Sequence, residues 1–339
     1  MTGLERTMNL IEGRPVDRLA AMPIIMLWAS ARYGHSYADY TRDYRILCDC
    51  QLRVRDEFEL DILQLISDPV RETADCGAEM IYYDDNPPRA ANLVLAEKST
   101  LHTLSMPDPA VGRMGDRVAG AASLHDTAGN EYPIMGWVEG PIAEYADLRG
   151  VENTFMDLID KPEMYLQAAK VIVENGVRFA RAQIEAGADM IGIGDAVASL
   201  INPAMYEQFV LPFEKTLIDA IHEAGATVKL HICGNIANNI ALMARTGAEI
   251  IDVDWMVSLS AARDAVGPDV TLAGNFNPTA VLLQGTPDGV AQAARDCIAS
   301  AGAKFILQPG CEVPPGTPEA NLRAFCPGQG CLIADDLRR

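Results

Sequence analysis

Positive charge is scarce in this chain. Lysine and arginine number 27 against 47 aspartates and glutamates, and the net charge is −20. A field of that sign repels nucleic-acid phosphates and anionic lipid surfaces, so neither is expected as a partner. Long apolar runs are missing too. None is long enough to span a bilayer, and the stretch 20–28 is strand-sized and contains Pro23. The start, Met1-Thr2-Gly3-Leu4-Glu5-Arg6, lacks the apolar core of a secretory signal. A cytoplasmic location is the expectation, where thiols stay reduced. Several catalytic motifs are absent. There is no Walker loop, no Gly-x-Ser-x-Gly elbow and no His-Glu-x-x-His helix, and Gly192-Ile193-Gly194-Asp195 lacks the third glycine of a dinucleotide fingerprint.

What is present is an alternation of short apolar runs and amphipathic stretches. The runs 21–26, 61–66, 134–138, 190–194, 227–231, 249–253, 271–274 and 304–308 read as strands. Small-residue breaks such as Ala186-Gly187-Ala188 and Thr246-Gly247-Ala248 precede many of them, as a helix end running into a buried parallel strand would. Eight strand–helix units without a second-domain signal predict a single (β/α)₈ barrel over 1–339, with a doubly wound open sheet as the alternative. The stretch 78–133 reads as an insertion, a lid or partner platform. Within it, residues 80–83 and 92–95 flank a turn-rich 84–88 and suggest a hairpin, and 125–130 reads as a further turn. The end, around 327–331, reads as a loose tail.

The chemistry concentrates at predicted strand ends. His231 and Cys233 stand two apart in Leu230-His231-Ile232-Cys233-Gly234, so an extended backbone points both to one side. Cys311 follows another run, in Gln308-Pro309-Gly310-Cys311-Glu312. One imidazole and two thiolates suit zinc, and three protein ligands leave the fourth position open, as in catalytic sites. The competing reading makes the cysteines packing residues, as Cys48, Cys50, Cys76 and Cys297 are read here, and His231 a hydrogen-bonded core histidine. The barrel mouth, where all three would gather, favours the metal. A sulfur-rich zinc suits deprotonation of a substrate thiol. Polar residues also follow strands: Glu139, Asp195, Asp252, Asp254, Asn275 and Asn277, with Asp68 after the second. Each is a candidate ligand, ligand orienter or substrate contact, against the alternative of a helix cap. Glu139 and Asp195 are the preferred catalytic candidates; Asp68 and Asn275 are candidates for holding a cofactor. His35, His102, His125 and His222 are scattered and read as surface or loop residues.

These residues resemble a known group. The stretches 194–212 and 309–322 are similar to the loops after the fourth and last strands of the uroporphyrinogen decarboxylase superfamily, whose fold is a (β/α)₈ barrel. Within it, His231, Cys233 and Cys311 match the His-x-Cys…Cys zinc motif of the corrinoid methyltransferases of the methylcobamide:coenzyme M type. The resemblance implies Zn²⁺, a corrinoid or cobalamin as co-substrate, a corrinoid protein and a small methyl donor or acceptor as partners, and a homodimer. It implies methyl transfer between the corrinoid and a zinc-activated thiol, or, in reverse, demethylation of a methyl ether or thioether. A metal-free decarboxylase of the uroporphyrinogen type is the alternative within the superfamily. The Arg-Gln-Ala-Gly-Arg-like segment of the decarboxylases is missing after the first strand, where only Arg32 is available.

Overall fold

In the computed structural model, which describes residues 1–97, 101, 104 and 106–338, seven strands form one parallel sheet. In chain order they are β1 (Leu63–Gln64), β4 (Ile134–Glu139), β5 (Met190–Gly194), β6 (Thr227–Ile232), β7 (Ile250–Val253), β8 (Thr271–Phe276) and β9 (Phe305–Pro309), and each pairs with the next. The two others, β2 (Met80–Ile81) and β3 (Arg89–Ala90), form a separate antiparallel pair.

Residues 20–22 close the sheet into a barrel. Met22 donates its backbone N–H to Leu307 at 3.1 Å on one side, and Asp61 donates to Ala21 at 3.2 Å on the other. This segment stands where the first strand was predicted, but it forms only a single bridge, Ala21 to Leu307. Pro23 is the reason: without an N–H it cannot continue the ladder. Side chains take over there, with Gln64 donating to the Pro23 carbonyl at 2.9 Å and Gln51 to Ile25 at 2.9 Å.

The strands are buried on both faces, which explains their nearly continuous apolar sequences. The stretch 78–133 divides in two. Its hairpin pairs Met80–Ile81 with Arg89–Ala90 rather than with residues 92–95. Its later part is a long helix, Gly112–Ala128, packed between the helices Tyr44–Phe58 and Pro162–Glu185 and against β4. That is the place of an ordinary barrel helix, so residues 125–128, read as a turn, are the end of that helix. The tail is not loose. Ile333 and Leu337 are fully buried, and the Leu337 carbonyl accepts from Leu19 at 2.6 Å. Among the described residues no helix is long and apolar enough to cross a membrane. His102 lies outside the described residues; His125 is exposed, His35 is half-buried, and half-buried His222 pairs with Glu249 at 3.0 Å.

Candidate metal centre

The strand register decides what meets at the mouth. Glu139 pairs with Gly194, Gly194 with His231, and His231 with Asp252. Neighbours in a parallel sheet point the same way, so these four side-chain positions line one level of the barrel interior. Two residues on, Cys233 leaves β6 on the same side, and Gly234, at φ +88°, turns the chain in a conformation that a side chain resists. Its N–H donates to Asp254 at 2.6 Å, which fixes the turn.

The His231 Nε2 atom lies 2.9 Å from Cys233 Sγ, and Cys233 Sγ lies 3.7 Å from Cys311 Sγ. All the ligand atoms of the three fall within 4.8 Å of one another. Zinc–sulfur bonds of about 2.3 Å set tetrahedral sulfur–sulfur edges of roughly 3.8 Å, so the two thiols already stand at the spacing of a shared ion. The donor set therefore fits zinc. Without a metal, the hydrogen bond from Cys233, followed by His231, lowers the Cys311 thiol to about 4, while Cys233 is raised. Cys311 is thus the sulfur that gives up its proton more readily.

Asp252 orients the imidazole. Its carboxylate lies 2.9 Å from His231 Nδ1 and 2.8 Å from Lys229 Nζ, and accepts from Gln308 Nε2 at 2.6 Å. The carboxylate charge beside Nδ1 favours the proton there and leaves Nε2 to face the sulfurs, as carboxylates behind metal-ligating histidines do. Burial opposes the Asp252 charge, but Lys229 and His231 hold the carboxyl down at about 2. Lys229 and Gln308 carry no motif and went unread. The signal for them was positional: a lysine two residues before His231 on the same strand face, and a glutamine ending an apolar run.

Beside the donors lies a cavity of about 210 Å³, lined by Ile24, Met26, Ile66, Trp137, Asp68, Glu139 and Glu312 among others. Trp137 reaches it because β5 is bare at two positions. A Cβ on Gly192 would sit 2.2 Å from the indole, and one on Gly194 3.1 Å from it. The ring crosses over these glycines to within 6.4 Å of the His231 ring centre. A larger hollow, of about 610 Å³, lies at the other ends of the strands among Arg6, Arg18 and Asp61, away from these donors.

Glu139 belongs to this cavity. Its Oε1 accepts from Arg71 at 2.8 Å and from Trp137 Nε1 at 3.2 Å. Burial, and then Glu72, push its carboxyl well above the ordinary range, against the pull of Arg71. Asp68 also lines it, but Arg113 grips both its oxygens, at 2.8 and 2.6 Å, and Ser67 donates at 2.7 Å. Burial raises that carboxyl, but Arg113, Arg71 and Ser67 together outweigh it, and it rests at about 2. Glu312 accepts from the Leu27 N–H at 3.0 Å, at the start of the helix Leu27–Arg32.

Asp195 and Asn275 are not brought to the cavity. Asp195 accepts from the Ala143 N–H at 2.8 Å, capping the helix Pro141–Arg149 from outside. Gly140 makes this fit, since a Cβ there would lie 2.3 Å from the Asp195 side chain. Asn275 donates to the Val257 carbonyl at 2.6 Å and so holds the loop after β7. Arg32 turns to Glu57 and Glu319, at 2.7 and 2.9 Å.

The uroporphyrinogen decarboxylase (URO-D) family pattern matches residues 2–327. The chain belongs to that family. It is 35% identical over 214 residues to a methylcobamide:CoM methyltransferase of Methanosarcina acetivorans, covering 62% of each chain. It is 27% identical over 337 residues to the uroporphyrinogen decarboxylase of a Synechococcus species, covering 92% of each. The alignments with the methyltransferase relatives thus span about three fifths of their length. A solved methyltransferase from Methanosarcina mazei superposes with a TM-score of 0.88 over 96% of this chain and 97% of its own, at 24% identity. That agreement carries the barrel fold. Neither the relatives nor the geometry supports the homodimer implied by the resemblance.

Proposed function

We propose that this family member is a zinc-dependent methyltransferase, moving a methyl group between a corrinoid and a small substrate, with a thiol favoured. The observation that carries the reading is the nitrogen–sulfur–sulfur donor set, oriented from below by Asp252 and open to an apolar cavity. His231, Cys233 and Cys311 would hold the metal. Bound there, zinc supplies a Lewis acid that draws the proton from a thiol at neutral pH.

The chain's own residues do the rest. Ile24, Met26, Ile66 and Trp137 exclude water and seat a small molecule. Glu139, poised high by burial, is the acid–base group of the cavity. A space of about 210 Å³ takes a small substrate and not a corrin ring, so the corrinoid, free or carried by a partner protein, meets it from the mouth. In the favoured direction the sulfur–carbon bond forms as the cobalt–carbon bond breaks. The electron pair stays on cobalt, and the thiol proton leaves. Orientation of the two reactants in one cleft lowers the barrel-mouth barrier by several kcal/mol. Cys233 and Cys311, held as thiols for a metal, fit a reducing, cytoplasmic compartment.

The decarboxylase alternative needs cations for several substrate carboxylates, and the described lining offers His231 as its one basic side chain. The test is elemental analysis of protein from metal-replete growth, followed by methyl transfer from methylcobalamin to thiols. Zinc near one per chain and thiol methylation are expected. Protein devoid of zinc sinks the reading.

A further inference from the structure

The cavity beside the metal donors is hostile to anions. Among its described lining residues, Asp68, Glu139 and Glu312 are acidic, and His231 alone is basic. His231 faces the sulfurs with one nitrogen and Asp252 with the other, so it has no charge to offer a ligand. The nearest guanidinium groups stand behind the walls, and each is already engaged. Arg71, fully buried, pairs with Glu139 at 2.8 Å and lies 3.6 Å from Glu72. Arg113 forks onto Asp68, at 2.8 and 2.6 Å. Lys229, beneath His231, is fully buried against Asp252. Zinc with two thiolates and an imidazole is itself neutral, so the metal adds no net attraction. The remaining wall is apolar, and the chain as a whole carries −20.

We infer that the small substrate of this site is a neutral or cationic thiol, not an anionic one. The inference rests on the methyltransferase reading. It sets this chain apart from its Methanosarcina acetivorans relative, whose name specifies CoM, a thiol that bears a sulfonate. An anion in the cavity would lie in a medium of low polarity, and no described lining residue offers it a free cation.

Three thiols that share a two-carbon arm isolate the charge: 2-mercaptoethanol, cysteamine and 2-mercaptoethanesulfonate. Each is titrated into the full-length protein loaded with cobalt(II), and binding is read from the sulfur-to-cobalt absorption band, corrected for each thiol's own acidity. The neutral and cationic thiols are expected to bind at least about tenfold more tightly than the sulfonate, about 1.4 kcal/mol. A sulfonate that binds as tightly as 2-mercaptoethanol, or more tightly, overturns the inference. Failure of all three to bind overturns it together with a thiol substrate. The predicted order of binding without methyl transfer from methylcobalamin sinks the methyltransferase reading and leaves the charge selectivity standing.

Discussion

Replacing Asp252 by asparagine separates two roles that one carboxylate combines. The side chain is fully buried and meets Lys229 at 2.8 Å, His231 at 2.9 Å and Gln308 at 2.6 Å. Asparagine keeps the shape and removes the charge, which strands the Lys229 ammonium in the barrel interior. Breaking a buried pair from one side costs about 3–5 kcal/mol. A second route gives a consistent lower figure. The carboxyl is held at about 2 against an ordinary value near 4, which corresponds to about 2 kcal/mol. That stability is present above pH 4 and is lost as the pH falls toward 2. The metal effect is independent. Loss of the orienting partner should weaken zinc about 10- to 100-fold. Urea unfolding of the metal-free protein measures the first quantity, and competition with a chromophoric chelator the second. The double variant Lys229→Met/Asp252→Asn should recover most of the stability and none of the zinc affinity. If Asp252→Asn unfolds within about 1 kcal/mol of the parent, the buried-pair argument is wrong. If its zinc affinity is unchanged, Asp252 does not orient His231.

Gly192→Ala should lower the thermal midpoint by several degrees, since its Cβ would stand 2.2 Å from the Trp137 ring and overpacking of this kind costs about 2 kcal/mol; an unchanged midpoint refutes the close fit. Glu139→Gln should change urea stability near neutral pH by about 1 kcal/mol or less, because burial already holds that carboxyl above the ordinary range and the amide oxygen can still accept from Arg71, while zinc content stays at the parent level; a loss of about 3 kcal/mol would show that the carboxyl is ionised against Arg71. The pair formed by Asp195 and Glu214 should make stability fall as pH rises. Burial lifts Glu214 to about 7, and burial with Glu214 lifts Asp195. The folded chain therefore keeps protons that the unfolded chain has lost above about pH 4.3. Glu214→Gln should flatten urea midpoints between about pH 4.5 and 7, and an unaltered slope would show that this carboxyl does not titrate there.

Most strands were legible because burial on both faces leaves a plain apolar run. The seam at residues 20–22 was less so, since Pro23 lies inside a run that otherwise reads as a strand. That His231 and Cys233 share one side of the strand was readable from their spacing. Asp252 was named among several carboxylates, but its role depends on the register of β6 against β7, which a single sequence does not carry. Asp195 was misdirected by position. Parity on β5 would have corrected it: Gly192 and Gly194 face the interior, so the next residue faces the helices. The helix Gly112–Ala128 was hidden inside the stretch read as an insertion, with its end read as a turn; its glycines serve close packing, as Gly120 does against Leu65 and Cys48.

The bare stretch of β5 also gives the protein an optical probe of its own. Of the three tryptophans, Trp28 is buried with its indole on the Thr317 carbonyl and Trp255 is 45% exposed. Trp137 alone lines the candidate metal cavity, with its N–H on Glu139 and its ring beside His231. Emission from that one ring senses the arrival of a metal, a thiol or a corrin at the mouth, without any label attached.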